Sequence, residues 1–285
     1  MKKRWLVISN CQTVGLGNSL SLLCPEVDVD TCDIHRFRNE ADHWKAEVNG
    51  YDHLIVNPEV QGLGIVDFDS FSNVTWVPGF NFRGFHPDMT NVFCNGAPIK
   101  SPMDDYHSVL IFAAFKKGWP EDRVLRLFCM DVYERLGFFS IWESEKKSLI
   151  GSFEKFGINL NSEFVKWMRE GGFMHSMNHP RINAVYDLSV KIAKKLHDGL
   201  IVDSEIKPHD NLTVGPVYPI FPEIAERFGV GKGSYFFKPG SSYRVLDLEQ
   251  FVEGSYRAYH EFDNDTLRAN NPHYEVVARL VEEAA

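Results

Sequence analysis

Cationic charge, long apolar runs and paired cysteines are scarce in this chain, and each scarcity removes a class of function. Thirty basic residues stand against 39 acidic ones, a formal net charge of −9, and the basic residues are scattered. That balance repels a polyphosphate backbone, so no nucleic acid is expected as a partner. No apolar stretch approaches the roughly 20 residues a helix needs to cross a bilayer, so no transmembrane segment is expected. The basic start Met1-Lys-Lys-Arg4 is followed only by the short run 5–8 before Asn10, Cys11 and Gln12, too little for a secretion signal. A cytoplasmic location is the resulting expectation.

The five cysteines (Cys11, Cys24, Cys32, Cys94, Cys129) lack the Cys-x-x-Cys spacing of a zinc site. Free thiols in a reducing compartment are the simpler account, and no metal is expected. Phosphate signatures are incomplete as well. In Gly229-Val-Gly-Lys-Gly-Ser234, Gly233 separates Lys232 from Ser234, which breaks the phosphate-loop pattern and leaves Lys232 as an isolated phosphate contact at most. Gly15-x-Gly17 is only a fragment of a dinucleotide fingerprint. Internal repeats and low-complexity tracts are missing too.

What is present is a core-forming composition: 285 residues, 44% apolar, with 22 phenylalanines. Residues 5–8, 27–32, 52–56 and 73–77 read as short strands separated by helices or loops, the pattern of a parallel sheet. Their C-terminal ends carry Cys11, Asn57, Glu59, Gln61 and the segment after Val77, and ligands sit at such ends. Aromatic and breaker-rich loops follow. Residues 108–115 then read as a buried helix, and helices dominate from about residue 120, including 161–169, a strong helix after Pro180, and 221–228, 247–260 and 272–283. Ser140 and Glu143 suggest a capping box. The expected class is α/β: a parallel sheet in the N-terminal part flanked by helices, with a largely helical C-terminal region. We read it as a single domain over 1–285, sheet-forming over about 1–100 and mainly helical over about 101–285.

Cys11 is the most informative residue. It lies between the first strand and a helix with Leu16, Leu20 and Leu23 on its apolar face, so its thiol is expected at free first-turn N–H groups that stabilise a thiolate. Asn10, Gln12 and the Gln12 backbone N–H are candidate oxyanion donors. Ser19 is a weaker rival nucleophile. A cysteine nucleophile needs a base. His179, after Gly171-Gly172 and before Pro180, is the best candidate, with Ser176 or Asn178 placed to orient its imidazole. The plainer alternative for His179 is a helix cap, and for Cys11 a small buried hydrophobe. His175 and His179 share metal-ligand spacing, but no third ligand is evident. Tyr106, His107 and Ser108 could bind a substrate oxygen or phosphate or merely cap a helix, and Arg83, His86 and Asp88 line the aromatic loop.

Four segments in order carry a resemblance: Ser9-Asn-Cys-Gln12, the loop 78–88, Asp105-Tyr-His-Ser108 and Asn178-His-Pro180. Over about residues 5–195 the chain resembles the polysaccharide-biosynthesis enzyme family represented by the capsule enzyme WcbI. That family more often has glycine where Ser9 stands. The resemblance implies coenzyme A or an acyl-CoA as cosubstrate. It also implies acyl transfer to a hydroxyl of a sugar or nascent polysaccharide in capsule or surface-polysaccharide assembly. Cys11 and His179 would be the reactive pair and His107 a further site residue. The layout is also similar to SGNH-type hydrolases, with Cys11 in the serine position and Ser176 where their acid would stand. A cysteine-dependent esterase or thioesterase, and a noncatalytic carbohydrate-binding or assembly protein, are the alternatives.

Overall fold

The apolar run after the basic N-terminus dictates the centre of the sheet. In the computed structural model, which describes residues 2–196, 201–202 and 206–283, it forms β1 (Lys3–Ser9). Parallel partners flank it: β2 (Val27–Asp33) on one side and β3 (His53–Val56) on the other, with β4 (Val74–Trp76) next to β3, giving the order β2-β1-β3-β4. Trp5, Leu6, Val7 and Ile8 are all buried, as a strand covered on both faces must be. Burying each such side chain contributes about 1.5–3 kcal/mol. β2 alternates instead, which suits an edge strand with one face toward water.

The chain divides into two compact units, each assembled from separate segments. The first comprises Met1–Asn81, Lys147–Phe173 and Asn178–Leu212. One sheet face, with Leu6, Ile8, Leu54 and Val56, packs on Phe37, Trp44 and Phe68. Helix α1 (Thr13–Leu23) packs on β2 and on the helix Ile182–Leu196. Phe80, Phe153, Trp167 and Phe173 form an aromatic cluster, with Phe80 5.2 Å from Phe153 and 5.6 Å from Trp167 between ring centroids.

The Gly15-x-Gly17 pair has a packing cause. A Cβ on Gly17 would lie 2.2 Å from Thr31 Cγ2, and one on Gly15 3.3 Å from Val185 Cγ1. Glycine at 17 lets α1 lie close against β2.

The second unit comprises Phe82–Lys146, Met174–Met177 and Thr213–Ala285. Its buried helix, Val109–Lys116, is capped by Ser108, whose Oγ accepts the Ile111 N–H at 3.1 Å. Helices Pro222–Phe228, Leu248–Tyr259 and Tyr274–Glu283 fall where the apolar periodicity placed them. Small antiparallel strands are the addition. β5 (Met89–Thr90) pairs with β8 (His107–Ser108), and β6 (Val92–Cys94) pairs with β7 (Ala97–Pro98) and β9 (Leu267–Ala269). The expected Ser140 capping box is displaced: the helix begins at Trp142, one residue too late for Ser140 to be its N-cap, and Ser140 Oγ donates to the Gly137 carbonyl at 2.7 Å.

Asp88 and His107 are sealed in the second unit. Asp88 accepts the Leu110 N–H at 3.0 Å and the Tyr218 hydroxyl at 3.2 Å, and burial pushes its carboxyl up to about 6. His107 is fully buried, with Nε2 3.1 Å from the Ile99 carbonyl and Nδ1 3.0 Å from the Tyr259 hydroxyl, and burial pushes its imidazole down to about 4.

Gly17→Ala is expected to destabilise the first unit by about 1–3 kcal/mol through overpacking against Thr31, read as a lower denaturation midpoint. The two sealed groups act in opposite senses. The Asp88 contribution is full below the ordinary carboxyl value of 3.8 and is lost as pH rises through about 6. That of His107 is full above 6.5 and is lost as pH falls through about 4. Relative to wild type between these limits, Asp88→Asn should make the melting temperature rise more steeply with pH. His107→Gln should make it rise less steeply, or fall.

Candidate active site

Parallel strands deliver their C-terminal ends to one edge, and here three of those ends are held level. The ladder continues beyond the strands: the Asn57 N–H donates to the Ile8 carbonyl at 2.8 Å, and the Val77 N–H to the Val56 carbonyl at 2.9 Å. The chain therefore leaves β1 through Ser9-Asn10-Cys11-Gln12, β3 through Asn57-Pro58-Glu59, and β4 through Val77-Pro78-Gly79 at the same height.

Three carboxamides converge on Gly79. A Cβ there would lie 2.6 Å from Asn10 Nδ2, 3.4 Å from Asn57 Nδ2 and 3.4 Å from Gln12 Nε2. Hydrogen bonds at the other end set two of these amides. Asn10 Oδ1 accepts the Gln12 N–H at 3.3 Å, and Asn57 Oδ1 accepts the Glu59 N–H at 2.9 Å, so both NH2 groups face Gly79. Gln12 and Asn57 are each 1% exposed. The Asn57 Nδ2 and both terminal atoms of Gln12 have no hydrogen-bond partner among the described residues. Leaving a buried donor unpaired costs about 1–3 kcal/mol. Such donors, packed against one glycine where any side chain would clash, form a set of the kind that holds an oxyanion.

Cys11 sits beside this cluster. Its Sγ lies 3.8 Å from Asn10 Oδ1 and 3.8 Å from the Asn178 carbonyl oxygen. The side chain keeps an exposed face but is crowded by protein atoms, and that desolvation pushes the thiol up to about 11. The charge of Glu59 adds to the rise, while Cys11's own backbone N–H opposes it. The expected helix-stabilised thiolate is thus corrected. Crowding and a nearby carboxylate outweigh the N–H groups, and the Gln12 N–H is already bonded to Asn10. Cys11 rests as a neutral thiol and requires a base.

His179 is the residue after Asn178 and is half-buried. Its helix begins at Ile182, later than Pro180 suggested, and Asp210 accepts the Ile182 N–H at 2.9 Å. The rival nucleophile Ser19 is fully buried and donates to the Gly15 carbonyl at 2.7 Å.

The first unit thereby gathers Asn10, Cys11, Gln12 and Asn178. The remaining candidates belong to the second unit. Ser176 Oγ donates to the Tyr106 hydroxyl at 3.1 Å. His175 is buried, and its carbonyl accepts the Tyr218 N–H. His86 Nε2 lies 3.1 Å from the Tyr218 carbonyl. Arg83 donates its backbone N–H to Glu145 and a guanidinium N–H to the Met89 carbonyl, and burial lowers its pKa. His107 and Ser108 are engaged as described, and Lys232 lies exposed on its glycine-rich turn. Among the described residues no group of three or more His, Cys, Asp or Glu side chains could hold a metal ion. Likewise, none of their helices is long and apolar enough to cross a membrane.

Sequence reasoning placed Asn57 at the sheet edge but missed its amide as a donor, and it missed Gly79. The Pro78-Gly79 pair closing the fourth strand was the available signal.

Comparison with known proteins gives the chain's family and fold. The model of the family described as polysaccharide biosynthesis enzyme WcbI matches residues 4–198. A solved structure of WcbI, described as a novel polysaccharide biosynthesis enzyme in native form without a disulfide bond between coenzyme A and a cysteine, is similar to this chain. The TM-score is 0.73 at 15% identity, over 100% of this chain and 98% of that one. No curated protein sequence matches the chain significantly.

A thiol held at about 11 reacts through a minor thiolate fraction. Alkylation of Cys11 by iodoacetamide, followed by peptide mass mapping, should be slow at neutral pH and quicken about tenfold per pH unit up to about 10. A plateau near pH 7 would contradict the neutral resting thiol.

Proposed function

Because the chain belongs to the WcbI family of polysaccharide biosynthesis enzymes, we propose that it transfers an acyl group, such as acetyl, from coenzyme A to a sugar hydroxyl in capsule or surface-polysaccharide assembly. The observation that carries this reading is the exposed Cys11 thiol beside three carboxamides directed at Gly79. A thioester carbonyl fits that donor set. Its oxygen accepts from the Asn10, Gln12 and Asn57 amides, and its carbon then lies within reach of Cys11.

Coenzyme A, when bound, supplies the acyl group as an activated thioester. His179 accepts the Cys11 Sγ–H proton as the sulfur attacks the carbonyl carbon. The carboxamides hold the oxyanion of the tetrahedral intermediate. As the C–S bond to the donor breaks, His179 returns the proton to the departing sulfur. The acceptor hydroxyl then attacks acyl-Cys11 while His179 takes its proton. The new ester forms, the Cys11 C–S bond breaks, and the sulfur recovers the proton.

One observation favours a second version. A thiol at about 11 with a carboxylate nearby is a reluctant nucleophile, so His179 could activate the sugar hydroxyl directly while Cys11 only shapes the site.

Acetyl-CoA should raise the melting temperature of wild type in a saturable manner. His179→Gln should keep that shift and lower turnover by about 10²–10⁴-fold. Intact mass after incubation separates the two versions. Acetylated wild type with inactive Cys11→Ala supports the covalent route, and retained turnover in Cys11→Ala supports direct transfer. Absence of both the thermal shift and acetylation would overturn the coenzyme A reading.

A further inference from the structure

A cavity in the first unit adjoins the carboxamide cluster and shares two residues with it. Its volume is about 340 Å³, and Asn57 and Gly79 form part of its wall. Glu59, Asn81, Lys155 and Phe156 line the remainder. The walls come from the loops after β3 and β4 and from the C-terminal end of the helix Trp142–Glu154.

We propose that this cavity is the acceptor subsite, and that it takes a single polyhydroxylated sugar ring with one hydroxyl directed toward Gly79. The inference rests on the acyl-transfer reading and adds the place where the hydroxyl substrate sits.

Three observations carry it. The first is position. The cavity reaches Gly79, where the amides of Asn10, Gln12 and Asn57 meet, so a hydroxyl at its inner end lies beside a carbonyl held by those amides. The second is size. The volume lies at the low end of small-molecule sites, ample for one ring and far short of a molecule as large as coenzyme A. The third is chemistry. The Asn57 amide, with no acceptor among the described residues, lies buried against Gly79, just behind the shared wall. Glu59 supplies an acceptor and Lys155 a donor, and a sugar hydroxyl uses both at once. The half-buried Phe156 ring, with Pro58, Pro78 and Leu149, offers an apolar surface for the C–H face of a ring. A phosphate group in the same place would face the Glu59 carboxylate, which argues for a neutral ligand.

The test uses the intact chain and a panel of methyl hexopyranosides as probes, followed by ligand-observed NMR, with acetyl-CoA thermal shift measured in parallel. Ser148, exposed on the cavity rim, is changed to Trp to fill the space, and Glu59→Gln removes charge with little change of shape. Wild type should bind at least one glycoside saturably. Ser148→Trp should weaken that binding by about tenfold or more, and Glu59→Gln by several-fold. Ser148→Trp should keep the wild-type melting temperature and acetyl-CoA shift, and Glu59→Gln the wild-type melting temperature. Wild type that binds acetyl-CoA but no glycoside, or variants that fold and bind glycosides as wild type does, would overturn the acceptor subsite while leaving the coenzyme A reading intact. Glycoside binding lost in Ser148→Trp, with no acetyl-CoA shift in wild type, would instead remove the donor reading and keep the sugar site.

Discussion

Parallel alignment of β1, β3 and β4 is the constraint on which the site depends. Strands that run the same way must leave the sheet at the same edge, and the hydrogen bonds from Asn57 to Ile8 and from Val77 to Val56 hold the three exits level. The buried run from Trp5 to Ile8 anchors this arrangement. A slip of one residue would turn its alternate side chains to the opposite face of the sheet and carry Asn10, Cys11 and Gln12 with them.

From that alignment follows an unusual concentration of amide groups. Polar side chains at an exit loop are ordinary, but three carboxamides meeting at one glycine, two of them buried with donors unpaired, are not. The glycine matters because a Cβ at residue 79 would collide with the Asn10 amide, 2.6 Å away. Cys11 beside them is held neutral by crowding and by Glu59. In the proposed transfer, a neutral thiol does not react until its proton has passed to a base, the role proposed for His179.

The second unit treats its polar residues differently. Asp88 has the Leu110 N–H and the Tyr218 hydroxyl, His107 has Tyr259 and Ile99, and Ser108 caps a buried helix. Both ring nitrogens of His107 are engaged within the fold, so its imidazole has none left for a substrate. In sequence, Tyr106-His107-Ser108 looks as chemically capable as Asn178-His179. What marks His107 as structural is that both its nitrogens are bonded, and that depends on residues such as Tyr259, far away in the chain.

Much of the fold is legible in local pattern. The four strands, the buried helix of Val109–Lys116 and the amphipathic helices near the C-terminus follow from apolar periodicity, because burial of one face is a property of consecutive residues. Cys11 was legible for the same reason, standing where a strand turns into a helix. The composition change near residue 100 did not tell which segments pack together, since Lys147–Phe173 and Asn178–Leu212 return to the first unit by contacts distant in sequence. Only the tertiary structure decided that Gly79 is the meeting point of three amides, that Asp210 accepts the Ile182 N–H at the start of its helix, and that the Cys11 thiol is neutral. Periodicity is written in neighbouring residues. Hydrogen-bond saturation and desolvation are set by atoms that folding brings together, and they appear only when the chain is assembled.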